Sequence, residues 1–277
     1  MPRINDTFLQ TVVYLYPSPE AAHQGHKTGG TGFIVSYKLK NTNKILYYVV
    51  TNAHVAEKMS APGAARFNTK ENDTTILNVF SSDWLLHPKK NDIAIVALNN
   101  PSDTLKHASI DVSMFLTENF IQEYDIGLGS DTCMIGRFIQ HNGTKTNTPI
   151  NSCGTISMMP LEPIILNSGI SQEGFLIQSQ SFSGFSGSPV LVRTNQPLLG
   201  GDKTKHTWLL LGINCAHINI YEPLQEKNGD TLKQTQNNKM ISTSNSGHMV
   251  VIPAWKIYEM FTSDPIAQHI KNLESQP

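Results

Sequence analysis

The stretch Gly184-Phe185-Ser186-Gly187-Ser188-Pro189 decides how the rest of this chain is read. Its glycines let a turn bend sharply and present the Ser186 hydroxyl without side-chain crowding. Alone, such a turn is weak evidence. Two upstream stretches add weight. Thr51-Asn52-Ala53-His54-Val55 sets a histidine at the end of an apolar run, and Asn91-Asp92-Ile93-Ala94-Ile95-Val96 sets an aspartate directly before another. A hydroxyl, an imidazole and a carboxylate, each at the edge of a predicted strand, are the groups that nucleophilic acyl chemistry uses.

Around these stretches lie short β-branched and aromatic runs separated by turn residues, the pattern of all-β structure. In the first half they cover 11–16, 32–37, 45–50, 75–80 and 93–98. The second and third form a hairpin across the polar residues 40–44. In the second half they cover 132–138, 154–158, 174–178, 189–192, 207–213 and 249–252. With five runs in the first half and six in the second, the pattern predicts two six-stranded antiparallel β-barrels, which have no exposed edges. The expected domains are residues 1–105 and 121–253, joined by a connector at 106–120 and followed by a helical segment at 254–277. Apolar residues at helical spacing run over 253–261. Asp264-Pro265 then opens a last helix over 266–273, expected to pack over the second barrel. Residues 61–73, 140–151 and 219–246 read as loops, the last long, polar and mobile.

Composition narrows the function classes. With 21 Lys and Arg against 22 Asp and Glu, no global field favours nucleic acid or acidic lipid, and the short lysine runs at 38–44 and 89–90 read as solvated loop tips. No apolar run approaches the roughly 18 residues of a membrane span. The first residues, Met1-Pro2-Arg3-Ile4-Asn5-Asp6, lack the apolar core of a signal peptide. Cys133, Cys153 and Cys215 are odd in number and widely spread, unlike a disulfide framework. The expectation is a cytoplasmic protein without cofactor. His23 and His26 have three-residue spacing but no third partner nearby, so no metal site is expected.

The order His, Asp, Ser, with Gly29-Gly30-Thr31-Gly32-Phe33-Ile34-Val35, Leu211-Gly212-Ile213-Asn214 and Gly247-His248-Met249-Val250-Val251-Ile252-Pro253, resembles the chymotrypsin-like serine peptidases. Within them it resembles the bacterial, disulfide-free branch of HtrA-type and V8-type enzymes most, over about residues 8–262. The resemblance implies a double barrel with a cleft between the halves, and a serine endopeptidase. In that reading Ser186 is the nucleophile, His54 the base and Asp92 the group that orients it, while the backbone N–H groups of Gly184 and Ser186 form the oxyanion hole. Ser183 and Ser188 share the turn, but only Ser186 has the glycine two before and the proline three after. None of the other histidines, among them His87, follows a Thr-Asn-Ala strand end. Asp73 and Asp83 do not directly precede a strand like 93–98.

By offset from Ser186, the resemblance also implies that Gln180 and Ser181 form the base of the substrate pocket. Cys215, Ala216 and His217 then form a wall that pairs with substrate backbone, and Gly247 lies at the pocket's far side. Asn214 stands where V8-type glutamyl enzymes carry histidine. No aspartate lies at the pocket base, which points to a neutral residue before the scissile bond. Phe185 replaces the aspartate that pairs with a newly cut N-terminus in zymogen enzymes, so no activation by N-terminal cleavage is expected. The expected partner is a protein or peptide substrate, with no nucleic acid and no membrane. An activating partner could act through 219–246, whose ends His217 and Gly247 adjoin the pocket. The rival class is a protease-fold module that binds peptides without turnover.

Overall fold

The computed structural model describes residues 3–275 other than 41, 100, 167, 195–207, 224, 229–230 and 235–240. Its first half contains β1 (Val12–Tyr16), β2 (Gly30–Lys38), β3 (Ile45–Thr51), β4 (Gly63–Asn68), β5 (Thr74–Val79), β6 (Leu85–Leu86), β7 (Ala94–Ala97) and β8 (Ile110–Asp111). These form one sheet in the order β5-β4-β1-β2-β3-β7-β6, with β8 parallel beside β2. Two short helices, α1 (Pro19–Gln24) and α2 (Ala53–Ala56), interrupt it.

The second half contains β9 (Asp131–Gly136), β10 (Ile150–Met158), β11 (Ile164–Ile165), β12 (Ser171–Gln172), β13 (Phe175–Gln178), β14 (Pro189–Arg193), β15 (Trp208–Pro223), β16 (Gln225–Asn228), β17 (Thr231–Gln234) and β18 (Ile241–Pro253). Six of them close a barrel in the order β10-β13-β18-β15-β14-β9. Helix α3 (Glu118–Glu123) precedes this half, and α4 (Ala254–Thr262) and α5 (Ile266–Glu274) end the chain. No helix among the described residues is long and apolar enough to cross a membrane.

Alternate residues along a strand face opposite sides of its sheet, and here both sides are apolar. Val13 and Leu15 of β1 pack inside the first half with Ile34, Val49, Val55 and Trp84. Their neighbours Val12, Tyr14 and Tyr16 join Phe33, Val35 and Val50 on the other face. In the second half Val190, Val192, Leu209 and Leu211 fill the barrel. Leu191, Leu210, Ile213 and Ile252 turn outward and join the same cluster as Tyr14 and Phe33. That shared cluster welds the halves, which explains why these strands read as continuous apolar runs and not as alternating ones.

The all-β, two-barrel architecture is present, with four differences in detail from the expectation. The first sheet stays open, because its end strands β5 and β6 are not paired with each other. The expected loop at 61–73 holds β4, which pairs with both β1 and β5. Its residues, Gly63-Ala64-Ala65-Arg66-Phe67-Asn68, lack the β-branched signal of a strand and take their place through tertiary burial. The expected mobile loop at 219–246 is largely strand: β15 and β18 stay paired from Asn219 opposite Asn245 out to Pro223 opposite Ile241, and β16 pairs with β17 beyond them. Once two barrel strands are zipped in register, continuing the ladder satisfies backbone groups that a polar sequence would otherwise leave to water. Of that expectation, residues 224, 229–230 and 235–240 lie outside the described residues. Finally, the C-terminal helices reach the first half as well as the second. Phe261 stacks on Tyr37 at 5.7 Å and meets Tyr48 edge-on at 5.2 Å, and Glu274 accepts the Lys40 backbone N–H.

Phe261 is therefore a brace between the halves. Phe261→Ala is expected to lower unfolding free energy by about 3–5 kcal/mol, read as a drop in the urea midpoint. A second brace is buried His87, whose Nδ1 accepts from the Lys89 N–H while Nε2 faces the Lys256 carbonyl at 3.1 Å. Burial depresses its pKa from the ordinary 6.5, against the pull of nearby Glu259 and the hydrogen bond to Lys256; the Lys256 and Lys89 charges push with burial. A depressed folded-state value means that the unfolded chain takes up the proton first as pH falls. The contribution is thus fully present above about 6.5 and is lost below it. His87→Gln is expected to flatten the fall of thermal midpoint between neutral and mildly acidic pH.

Candidate active site

The turn before β14 is held by the other half of the molecule. Thr31, fully buried in β2, grips it at three points. Its N–H donates to the Ser186 carbonyl at 2.8 Å. Its hydroxyl donates to the Gly184 carbonyl at 2.6 Å. Its carbonyl lies where a Cβ on Gly187 would sit. Gly187 has φ +85° and Gly184 has φ +96°, left-handed values that glycine adopts without strain. A Cβ on Gly184 would also run into the Ile139 side chain.

Peptide planarity then aims the remaining donors. The Phe185 carbonyl accepts from Asn214 Nδ2 at 2.9 Å and from the Ser188 N–H at 3.0 Å, which turns the Ser186 N–H of the same peptide the opposite way. The N–H groups of Phe185, Gly187 and Ser188 donate to Phe182, Asn214 and Phe185 carbonyls. Those of Gly184 and Ser186 have no intramolecular acceptor among the described residues. The turn consumes every other N–H and leaves these two free.

His54 lies in α2, just after β3 ends at Thr51, and Asp92 lies just before β7. The Asp92 carboxylate takes His54 with both oxygens: Oδ1 accepts the backbone N–H at 2.9 Å and Oδ2 lies 2.7 Å from Nδ1. This contact places a proton on Nδ1 and leaves the Nε2 lone pair available. Asp92 is itself anchored. Its carbonyl accepts from Asn52 Nδ2 at 2.8 Å, and its N–H donates to Gln172 Oε1 at 3.2 Å. Gln172 is buried in β12 of the second half and also donates to Asn91 Oδ1 at 2.8 Å. Behind Asp92, burial and the carboxylate's charge hold the Cys215 thiol protonated, its pKa well above the usual value.

His54 and Ser186 together line two cavities. One, of about 440 Å³, is completed by Leu15, Gly29, Lys58, Ser183 and Gly184. The other, of about 720 Å³, is completed by residues including Leu166, Ile170, Cys215, Ala216 and His217, and reaches Asp92. The expected residues fall unevenly on this frame. Cys215, Ala216 and His217 share the larger cavity with the histidine, aspartate and serine. Ser181 is buried one layer behind, its hydroxyl accepting from Asn214 Nδ2 at 3.1 Å. Gln180 is exposed and Gly247 half-buried, and neither lines the two cavities.

An open sheet carrying the histidine and aspartate, a closed barrel carrying the serine, and a cleft between them form one topology. This is the all-β, two-part topology that the resemblance to the chymotrypsin-like serine peptidases implies. Comparison with solved structures finds similarity to Deg5, at a TM-score of 0.47 and 18% identity over 76% of this chain and 81% of that one. It also finds an inactive-form serine-to-alanine mutant of Rv3671c from M. tuberculosis H37Rv, at a TM-score of 0.46 and 14% identity over 95% and 89%. No protein-family model matches the sequence. No curated protein matches it either.

Thr31, Gln172 and Arg137 shape this site without having been singled out as site elements in the sequence, and Asn214, read there only as standing where V8-type enzymes carry histidine, holds the serine turn through its amide. Each makes more than one hydrogen bond across a long sequence interval, which no local spacing reveals. Thr31 is the most consequential, because its hydroxyl also accepts the Arg137 N–H at 3.0 Å. Thr31→Val keeps the shape but leaves two buried backbone groups unpaired, so a loss of about 1–3 kcal/mol in stability is expected. Thr31→Ser should restore most of it. The paired urea midpoints decide the matter.

Proposed function

We propose that this chain is a serine endopeptidase acting through an acyl-enzyme on Ser186. The observation that carries the reading is the 2.7 Å contact between Asp92 and His54 Nδ1 on a cavity that the Ser186 turn also lines. The free N–H groups of Gly184 and Ser186 support it.

In this mechanism His54 Nε2 takes the Ser186 proton as Oγ attacks the scissile carbonyl carbon. Asp92 keeps the imidazole in the required tautomer and stabilises the imidazolium that forms. The carbonyl oxygen, now bearing the developing negative charge, moves toward the Gly184 and Ser186 N–H groups. Each such donor typically supplies about 10²–10³ in rate. The imidazolium returns its proton to the leaving amine, and a water, activated by the same imidazole, hydrolyses the ester.

The substrate is a protein or peptide whose backbone lies along β15. β15 pairs with β14 as far as Ile213 opposite Pro189 and runs on past it into the larger cavity as Cys215 and Ala216, with Ala216 opposite Val250 of β18. A strand that enters the cavity in this way suits pairing with an added peptide strand. Asn214 and Ser181 stand beside the turn without a charge, which supports a neutral side chain before the scissile bond.

The test combines fluorophosphonate labelling with peptide-library cleavage read by mass spectrometry. Wild type is expected to label on Ser186 and to cut after uncharged residues. Ser186→Ala should abolish both while the urea midpoint stays near wild type. No labelling of folded wild type, with peptides still retained, would favour a binding module over an enzyme.

A further inference from the structure

Two of the three cysteines, twenty positions apart in sequence, meet in the fold. Cys133 of β9 and Cys153 of β10 are direct cross-strand partners, with Sγ atoms 3.3 Å apart. Both are free thiols. Their surroundings differ: Cys133 is buried against the seam between the halves, and Cys153 is exposed. The Asn151 side chain reaches over the pair, its Nδ2 3.4 Å from Cys153 Sγ and 3.8 Å from Cys133 Sγ.

We propose that Cys133 and Cys153 form a redox-modification site, a dithiol that small disulfide oxidants convert to a cross-strand disulfide. The asymmetry of the pair sets the order of events. Cys153, reachable from solvent, loses its proton to water and attacks one sulfur of the oxidant RSSR. The S–S bond breaks, one thiolate RS⁻ leaves, and Cys153 carries the mixed disulfide. Cys133 then gives up its proton and attacks Cys153 Sγ, which expels the second RS⁻. The two thiolates take up the two protons, so two protein thiols are oxidised and one RSSR is reduced to two RSH. Thiol–disulfide exchange needs the attacking thiolate, and the Asn151 amide is placed to donate to it on either sulfur.

Burial presses the Cys133 pKa up to about 12, with the neighbouring Cys153 adding to the rise. Cys133 is therefore a poor first nucleophile, and its closeness to Cys153 Sγ makes it an effective second one, because the attack is intramolecular. Cys215 takes no part. It is buried in the second half, with its Sγ against the Val250 carbonyl at 3.4 Å.

The experiment treats the folded, full-length chain with bis(2-hydroxyethyl) disulfide, quenches in acid, alkylates and maps the peptides by mass spectrometry. The expected product has lost two hydrogens, contains one Cys133–Cys153 linked peptide, and reverts with dithiothreitol. Cys133→Ser should stop at a persistent single adduct on Cys153. Recovery of wild type with both thiols alkylated would overturn the proposal. So would a wild-type chain that stops at the Cys153 adduct with Cys133 still free. The wild-type result stands even if the variant misfolds.

Discussion

The hydrogen bond from the Thr31 hydroxyl to the Gly184 carbonyl, 2.6 Å long and buried, is the joint on which the site depends. It ties the turn carrying Ser186 to the sheet that carries His54 and Asp92. With the Thr31 N–H on the Ser186 carbonyl and the Thr51 hydroxyl on the Thr31 carbonyl at 2.7 Å, it makes a short relay of buried polar groups. Such groups are costly when unpaired and cheap when fully paired. The relay therefore has one low-energy arrangement. The position of the serine relative to the histidine is inherited from backbone geometry in both halves, not from either side chain alone.

The relay continues into an unusual stretch of core. Arg137 donates its backbone N–H to Thr31 and is fully buried. Its guanidinium gives hydrogen bonds to the Leu15, His26 and Thr28 carbonyls and lies 3.9 Å from the centre of the Tyr16 ring. Arg66, nearly as buried, reaches Asn147 Oδ1 at 2.7 Å and the Asn142 carbonyl at 3.2 Å. No carboxylate accompanies either arginine among the hydrogen bonds and ion pairs of the described residues. Carbonyl dipoles and ring faces take the place of a counter-charge, and most of the carbonyls, those of His26, Thr28, Asn142 and Gly143, belong to loop segments outside the strands. Two buried cations thus order the segments near 25–28 and 140–147, which meet each other where Asn142 Nδ2 donates to the Gly25 carbonyl, and the first of which adjoins the Gly29 rim of the smaller cavity.

What the sequence carried and what it hid follow from the range of the forces involved. Most barrel strands were legible because burial on two faces demands apolar runs such as Val12 to Tyr16. The histidine, aspartate and serine turns were legible because each has a local backbone requirement: a strand end, a strand start, or a glycine at positive φ. β4 was hidden, since Ala64, Ala65 and Arg66 have no strand signature and owe their place to β1, β5 and the arginine's distant acceptors. The ribbon beyond His217 was hidden for a related reason: its polar residues inherit their pairing from a register set inside the barrel. The meeting of Cys133 and Cys153 was equally invisible, because pairing across β9 and β10 depends on register and not on cysteine spacing.

The same logic explains why Asn214 matters more than its place in a strand suggests. It sits in β15 just past Ile213, which pairs with Pro189 of β14. Its N–H donates to the Ser188 carbonyl and its carbonyl accepts from the Gly187 N–H, each at 2.9 Å. Its side chain donates to Phe185 and Ser181, leaving Oδ1 buried without an intramolecular partner among the described residues. A side chain at this position must therefore supply a donor to the Phe185 carbonyl if the Ser186 peptide is to keep its orientation. Leucine would fill the space and leave that carbonyl unbonded on this side. Aspartate would set a negative charge against it. An amide meets the backbone requirement while keeping the surroundings of the serine turn uncharged, so one residue couples the aim of the free N–H groups to the polarity of the ground beside them.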